Sequence, residues 1–400
     1  MEAGVVIAGA GQAGLETAAA LRTQGYTGPV TLIGDEPHLP YQRPPLSKDY
    51  ASGKQDADSL ILRAAVFYEN HKIDLRTGQI VTGIDRANRK IKLAPGEELP
   101  YQFLVLALGA RNRLLPIPGA DRVRYLRTRD EADCIKQRMA GAQQVVVIGG
   151  GFIGLEIGAV ARGAGKPVTV IEALPRLMAR AVAPILSNFF RDLHHSQGVE
   201  IRLGTSVVEI TPDAVLLNDG TRLPADLVIG GVGVMPNVEL AHEAGLEIRD
   251  GIAVDEYLRT SDPNIFAVGD CCDHPNRFAR GRIRLESVQN AVDQSKCVAR
   301  GILGQPTPYS DVPWFWTDQF SVRFQMVGLS NGHDQSVVRG SIENQKFSVF
   351  YFRGKQLIAV DSVNRFGDHI AARKLLAAGT EVTPEQAGDE SVDLKKLAGR

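Results

Sequence analysis

Val5-Val6-Ile7-Ala8-Gly9-Ala10-Gly11-Gln12-Ala13-Gly14 decides the fold. Its opening run of small or β-branched apolar residues reads as a buried strand. Gly9, Gly11 and Gly14 then spell G-x-G-x-x-G, and Ala18, Ala19 and Leu21 follow at helical spacing. Strand, tight glycine turn and helix in that order let bare backbone approach a pyrophosphate. The helix amino terminus offers free N–H groups and the positive end of its dipole. A second apolar strand, Val30-Thr31-Leu32-Ile33, runs to Gly34-Asp35-Glu36, where a carboxylate can accept hydrogen bonds from ribose hydroxyls. One glycine motif alone is also a tight turn without a ligand. Strand, helix and distal acid together favour a dinucleotide site.

The design recurs at Val145-Val146-Val147-Ile148-Gly149-Gly150-Gly151-Phe152-Ile153-Gly154-Leu155-Glu156, with Gly149, Gly151 and Gly154 in the motif positions. The strand Val168-Thr169-Val170-Ile171 follows and ends on Glu172. Two complete fingerprints imply two nucleotide sites, and a flavin nucleotide with a nicotinamide nucleotide is the natural pair. A carboxylate at Glu172 favours the free ribose hydroxyls of NAD over the extra phosphate of NADP. Arg176 and Arg180 follow closely and can bind pyrophosphate, or admit a 2′-phosphate.

Composition narrows the class. A chain of 400 residues exceeds one ordinary core, so two or three domains are expected. With 45 Lys and Arg against 46 Asp and Glu, net charge is −1, unlike a nucleic-acid binder. No apolar run is long enough to span a bilayer, and the first residues enter a strand with no leader pattern, so cytoplasmic residence is expected. The four cysteines, Cys134, Cys271, Cys272 and Cys297, form no C-x-x-C pair and read as inert thiols. No metal-ligand spacing stands out.

Between the fingerprints, Arg43-Pro44-Pro45-Leu46-Ser47-Lys48 fixes its backbone with tandem prolines, and a short helix can begin at Pro45. Taken alone, Arg43 and Lys48 read as a solvated face. Phe103 to Ala110 reads as one apolar strand ending in glycine, and Pro116 and Pro118 mark a linker. Residues 182–198 form an amphipathic helix, and Leu227 to Val234 an apolar strand. Ile265-Phe266-Ala267-Val268-Gly269-Asp270 delivers one acid at a strand end, where it can hold a ribityl chain or cap a turn. Arg277, Arg280, Arg282 and Arg284 make a local basic patch or a solvated loop. After Pro308 aromatics cluster. Phe347 to Phe352 and Leu357 to Val360 flank Arg353-Gly354-Lys355-Gln356, a hairpin signal, and a helix follows at Ala371 to Ala378.

This ordered set, with Leu285 to Gln289 and Pro313-Trp314-Phe315-Trp316-Thr317-Asp318-Gln319, resembles the FAD-dependent NADH:ferredoxin reductases. These serve bacterial cytochrome P450 monooxygenases and Rieske-type aromatic-ring dioxygenases. The resemblance covers essentially the whole chain. It implies an α/β protein of glutathione reductase fold: two Rossmann-like nucleotide-binding domains plus a small α+β carboxyl-terminal domain. The expected division is an FAD domain at 1–109 and 236–310, an NAD domain at 110–235 and a carboxyl-terminal domain at 311–400.

Residue by residue, the resemblance implies that Gly9, Gly11, Gly14 and Asp35 hold the adenine half of a non-covalent FAD. Arg43 and Lys48 would lie along the flavin, with Lys48 near N5. Arg127 would add a contact, Asp270 would hold the ribityl chain, and Val288, within the Glu286–Gln289 backbone, would approach the pyrimidine edge. Trp316 would pack on the far side. Gly149, Gly151, Gly154, Glu172 and Arg180 would bind NADH, with Glu156 beside the nicotinamide and paired to Lys48. Leu108 departs from the threonine common at its position in the family. Lys48 and Glu156 are the expected catalytic pair, and Arg284 the expected docking residue.

No cysteine lies in Tyr41–Lys48 or in either glycine motif. Disulfide reductases of this fold carry such thiols beside the flavin, so electrons are expected to pass directly to an external [2Fe–2S] ferredoxin and thence to a P450 or a Rieske oxygenase. Rubredoxin, monodehydroascorbate or quinone reductase, or an apoptosis-inducing-factor-like flavoprotein, are the alternative readings. A monomer or weak dimer is expected.

Overall fold

The computed structural model describes residues 3–397. The chain divides into two units. One comprises Met1–Gln42, Ile61–Arg111 and Pro236–Phe315; the other comprises Arg43–Leu60, Asn112–Met235 and Trp316–Arg400.

In the first unit the strand Gly4–Ala8 is buried throughout and lies in the middle of a parallel sheet. Val30–Ile33 pairs on one side, with Ile73–Arg76 beyond it; Glu98–Leu106 pairs on the other, with Ile265–Ala267 alongside. Continuous apolar runs suit such strands because both sheet faces are covered. The helices Gln12–Thr23 and Val288–Ile302 pack closely through small residues. Thr17 donates to Ser295 Oγ at 3.0 Å, and Ser295 donates to the Ala13 carbonyl at 2.8 Å. These bonds tie the two helices together within the unit's core.

The second unit repeats the parallel theme. Its sheet runs Val199–Leu203, Val168–Glu172, Val145–Ile148, Leu227–Gly230 and Arg124–Tyr125. A second sheet, antiparallel, has the order Trp314–Gln319, Val322–Gly328, Gln356–Val363, Lys346–Arg353 and Gln335–Ser341. The helix Pro184–Ser196 joins the two by stacking aromatic edges: Phe189 meets Phe347 at 5.1 Å and Phe190 meets Phe324 at 5.2 Å between ring centroids. Edge-to-face pairs of this kind suit the ring quadrupoles.

Several boundaries differ from the sequence reading. The strand expected from Phe103 starts at Glu98, because Glu98–Pro100 pairs with Lys90–Lys92, and it stops at Leu106. The run Leu227 to Val234 is not one strand. It splits into Leu227–Gly230 and Val234–Pro236, with Gly233 at φ +103° between them. The last long helix begins at Phe366 rather than Ala371. No helix among the described residues is long and apolar enough to cross a membrane.

Candidate active site

Each glycine turn is shaped by close approach. A Cβ at Gly14 would stand 1.8 Å from the Gly9 carbonyl oxygen, and one at Gly154 would stand 2.1 Å from that of Gly149. Gly9 and Gly149 take φ +110° and +109°, a backbone that side chains disfavour. Gly11, by contrast, has nothing within 4 Å of where a Cβ would be, and Gly151 has only the Gly231 carbonyl at 3.9 Å. Both helices begin at these glycines without a side-chain cap and without an acid in the first turn. The N-cap glycines thus bring no side-chain acceptor to either first turn. Open glycine faces and uncapped N–H groups fit a dinucleotide pyrophosphate at each turn.

In the second unit Glu172 closes its own loop. It accepts from Gly150 N–H at 2.7 Å and from Leu174 N–H at 2.8 Å, which leaves carboxylate lone pairs for a ribose. Arg180 is exposed nearby. Arg176 is committed elsewhere: it donates to the carbonyls of Val182 and Ala179, both at 2.6 Å, and to Ser187 Oγ at 2.9 Å. It braces the segment before Pro184 and is not poised for a phosphate. In the first unit Asp35 is exposed at its strand end, and Asp270 sits in the single turn Gly269–Cys271. Val288 opens its helix behind the Ser287 cap.

The second unit also assembles a buried charge cluster. The turn Pro44–Ser47 and the helix Phe152–Gly163 bring Lys48 Nζ to 2.8 Å from Glu156 Oε1. Ser47 donates to the other carboxylate oxygen, and Thr317 donates to Oε1. Glu156 is 2% exposed. Burial pushes its carboxyl up from the ordinary glutamate range, while Lys48, Ser47 and Thr317 pull it back. The same unit holds Arg43, whose guanidinium donates to the Arg127 carbonyl at 2.7 Å, and a half-buried Trp316. A buried acid with three donors, one of them a lysine, is an organised acceptor, suited to fixing a polar group of a ligand.

Residues 3–295 match the pyridine nucleotide-disulphide oxidoreductase family, and residues 314–398 match a reductase carboxyl-terminal domain. This chain belongs to the pyridine nucleotide-disulphide oxidoreductase family. It is 49% identical to rhodocoxin reductase of Rhodococcus erythropolis over 403 aligned residues, covering 99% of this chain and 94% of that protein. The ferredoxin reductase for the CYP199A2 system from Rhodopseudomonas palustris has a crystal structure matching with TM-score 0.97 at 48% identity, covering 99% and 100% of the two chains. The crystal structure of the covalent putidaredoxin reductase–putidaredoxin complex matches with TM-score 0.96 at 43% identity, covering 100% of this chain and 98% of that one. The glutathione reductase-type fold that the resemblance implied is thereby shown. The chain is an oxidoreductase using FAD and NAD(H).

Within this family the thiols matter. Cys271, Cys272 and Cys297 are buried and Cys134 is half-buried. Burial pushes Cys271 and Cys297 up to about 11 and raises Cys272 as well, which suppresses thiolate. No cysteine stands in the Lys48–Glu156 cluster.

Arg284 proves less available than its charge suggests. Its side chain is 10% exposed and held by Glu286 at 2.6 Å, Asp250 at 3.6 Å and the Asp270 carbonyl at 3.1 Å. Arg277 and Arg280 are the exposed arginines of that stretch. The sequence reading assigned no role to Ser47, Thr317, Gln319 or His194. Ser47 and Thr317 touch Glu156, and Gln319 and His194 continue the hydrogen bonding behind Thr317. The alternation of Thr317 and Gln319 on one strand face was the signal that could have found two of them.

Proposed function

We propose that this chain is an NADH-dependent ferredoxin reductase that passes single electrons to a [2Fe–2S] ferredoxin serving a cytochrome P450. The observation that carries the reading is the whole-length likeness to a reductase crystallised with its redoxin, in a chain whose charge cluster contains no thiol. Bound FAD supplies the exchange between a two-electron donor and a one-electron acceptor, so one NADH serves two ferredoxins. Gly9, Gly11, Gly14, Asp35, Asp270 and Val288 carry FAD-binding roles in the first unit. Arg43, Lys48, Arg127 and Trp316 carry them in the second.

Gly149, Gly151, Gly154, Glu172 and Arg180 hold NADH. Glu156 receives the nicotinamide carboxamide, and Lys48 keeps Glu156 ionised and supplies positive charge where electron density builds. The functional division follows: FAD binding by 1–109 and 236–310, NAD binding by 110–235, and a distinct carboxyl-terminal domain at 311–400. We place the protein in the cytoplasm. A basic face around Arg284, with Arg277 and Arg280 as its exposed members, steers an acidic ferredoxin.

The test is anaerobic mixing with NADH, followed by a [2Fe–2S] ferredoxin or a rubredoxin in parallel. Flavin bleaching with reduction of the ferredoxin alone is expected. Absence of bleaching sinks the enzyme reading, and preference for rubredoxin moves the acceptor while leaving NADH oxidation intact. For docking, Arg277→Glu with Arg280→Glu should raise the ferredoxin KM at low salt and converge with wild type at high salt. An unchanged KM at low salt removes this face from docking.

A further inference from the structure

We propose that Thr317, Gln319 and His194 form a positioning line that holds the Glu156 carboxylate ionised and aimed at its ligand. The inference rests on the reading that Glu156 receives the nicotinamide.

The hydrogen-bond directions are forced from one end. Glu156 faces Lys48, Ser47 and Thr317, and as a carboxylate it only accepts. Thr317 must therefore spend its single hydroxyl proton on Glu156 Oε1. Its oxygen can then only accept from Gln319, whose Nε2 lies at 3.3 Å. That fixes the Gln319 amide with Oε1 pointing to His194 Nε2, 2.8 Å away. An acceptor there requires the His194 proton on Nε2. The flipped amide would place an acceptor against Thr317 and draw its proton away from Glu156.

Three elements supply this line. Thr317 and Gln319 lie two apart on the strand Trp314–Gln319 and share one face. His194 comes from the helix Pro184–Ser196, and Glu156 from the helix Phe152–Gly163. Every member is buried: His194 and Thr317 are 0% exposed and Gln319 is 1%. His194 stacks edge-on against Phe320 at 5.0 Å, and its Nδ1 has no hydrogen-bond partner. Leaving a buried ring nitrogen unpaired is costly, so the Nε2–H contact is the bond this site retains. Burial also pulls the ring down to about 4, which keeps it neutral and fixes it as a single-proton donor. Each dipole in the line points its positive end toward Glu156, and aligned hydrogen bonds of this kind polarise one another.

The experiment uses the FAD-loaded enzyme and four readouts: FAD content, the NAD+ dissociation constant, the bleaching rate at saturating NADH, and the protonated-carboxyl stretch in infrared difference spectra against Glu156→Gln. Thr317→Val should slow bleaching by about tenfold while changing NAD+ affinity by less than about twofold. At neutral pH it should also show a carboxyl band that wild type lacks. Thr317→Ser should restore both. Gln319→Leu and His194→Phe should slow bleaching by about threefold each, and Thr317→Val/Gln319→Leu should be no slower than Thr317→Val, because the line is already cut. A purely structural role would lower stability and leave the saturating rate unchanged. Wild-type bleaching and no carboxyl band in Thr317→Val and Gln319→Leu, with Glu156→Gln slow, overturns the line. Wild-type bleaching in Glu156→Gln removes the reading beneath it instead. If His194→Phe fails to fold, the other two variants decide.

Discussion

The two glycine turns share more than their spacing, and their differences are more informative than their likeness. Both motifs run on into a Leu-Glu pair, Leu15-Glu16 and Leu155-Glu156. Glu16 is half-buried, accepts from Gln12 Nε2 at 3.2 Å and stands 3.9 Å from Arg63. Glu156 is buried under Lys48, Ser47 and Thr317. The strand registers, Ala8 beside Ile33 and Ile148 beside Ile171, place Gly34 where the second turn has Glu172. Ala10 correspondingly stands where the second turn has Gly150. A Cβ at Gly34 would lie 2.6 Å from the Ala10 methyl, and one at Gly150 would lie 3.1 Å from a Glu172 oxygen. The methyl of one loop and the acid of the other compete for the same kind of space. The shared motif sets the backbone, and neighbours outside it set the chemistry.

The hardest test of that comparison is to block each turn separately. Gly14→Ala should yield colourless protein, read as the flavin-to-protein absorbance ratio. Gly154→Ala should stay yellow and need at least about tenfold more NADH to bleach. Loss of the same cofactor from both would break the assignment of one nucleotide to each turn.

Next in size, Glu156→Gln should slow bleaching by roughly tenfold, whereas Glu16→Gln should stay within about twofold. Because burial pushes the Glu156 carboxyl up, acidification should slow wild type at a pH above the ordinary glutamate range, and Glu156→Gln should be flat there. Equal effects of the two glutamine variants would mean that the motif, not its neighbours, confers the role.

Glu172→Ala should raise the NAD+ dissociation constant by about tenfold and narrow the preference for NADH over NADPH, measured by calorimetry and steady-state kinetics. An unaltered preference would free the acid from cofactor choice.

The smallest expected effect is also the most specific. Gly34→Glu should lower stability by about 1–3 kcal/mol, and Ala10→Gly in the same chain should recover part of it, read by thermal unfolding. Without that recovery, the two positions are not exchanging one volume.

Much of this was legible in the sequence. Strand, glycine turn and helix are local events, so Gly9–Gly14 and Gly149–Gly154 announced themselves, as did the hairpin around Gly354. The Lys48–Glu156 pair came from resemblance, since nothing local in a lysine after Pro44-Pro45 says which acid it will meet. The two-residue spacing of Thr317 and Gln319 hinted at a shared face but not at its role, because Glu156 and His194, the partners that give it one, lie far along the chain. Arg284 misled for a related reason: sequence shows charge, while the carboxylates of Asp250 and Glu286 that occupy it become neighbours only on folding.

The sealed sulfurs have a practical side. Three of the four thiols are buried, and Cys134 alone, on the helix Arg129–Gly141, offers partial access. A maleimide dye should therefore attach at one address without mutagenesis. Peroxide leaking from stalled turnover should likewise find little sulfur to oxidise, so the protein should outlast its thiol-dependent cousins under aerobic idling.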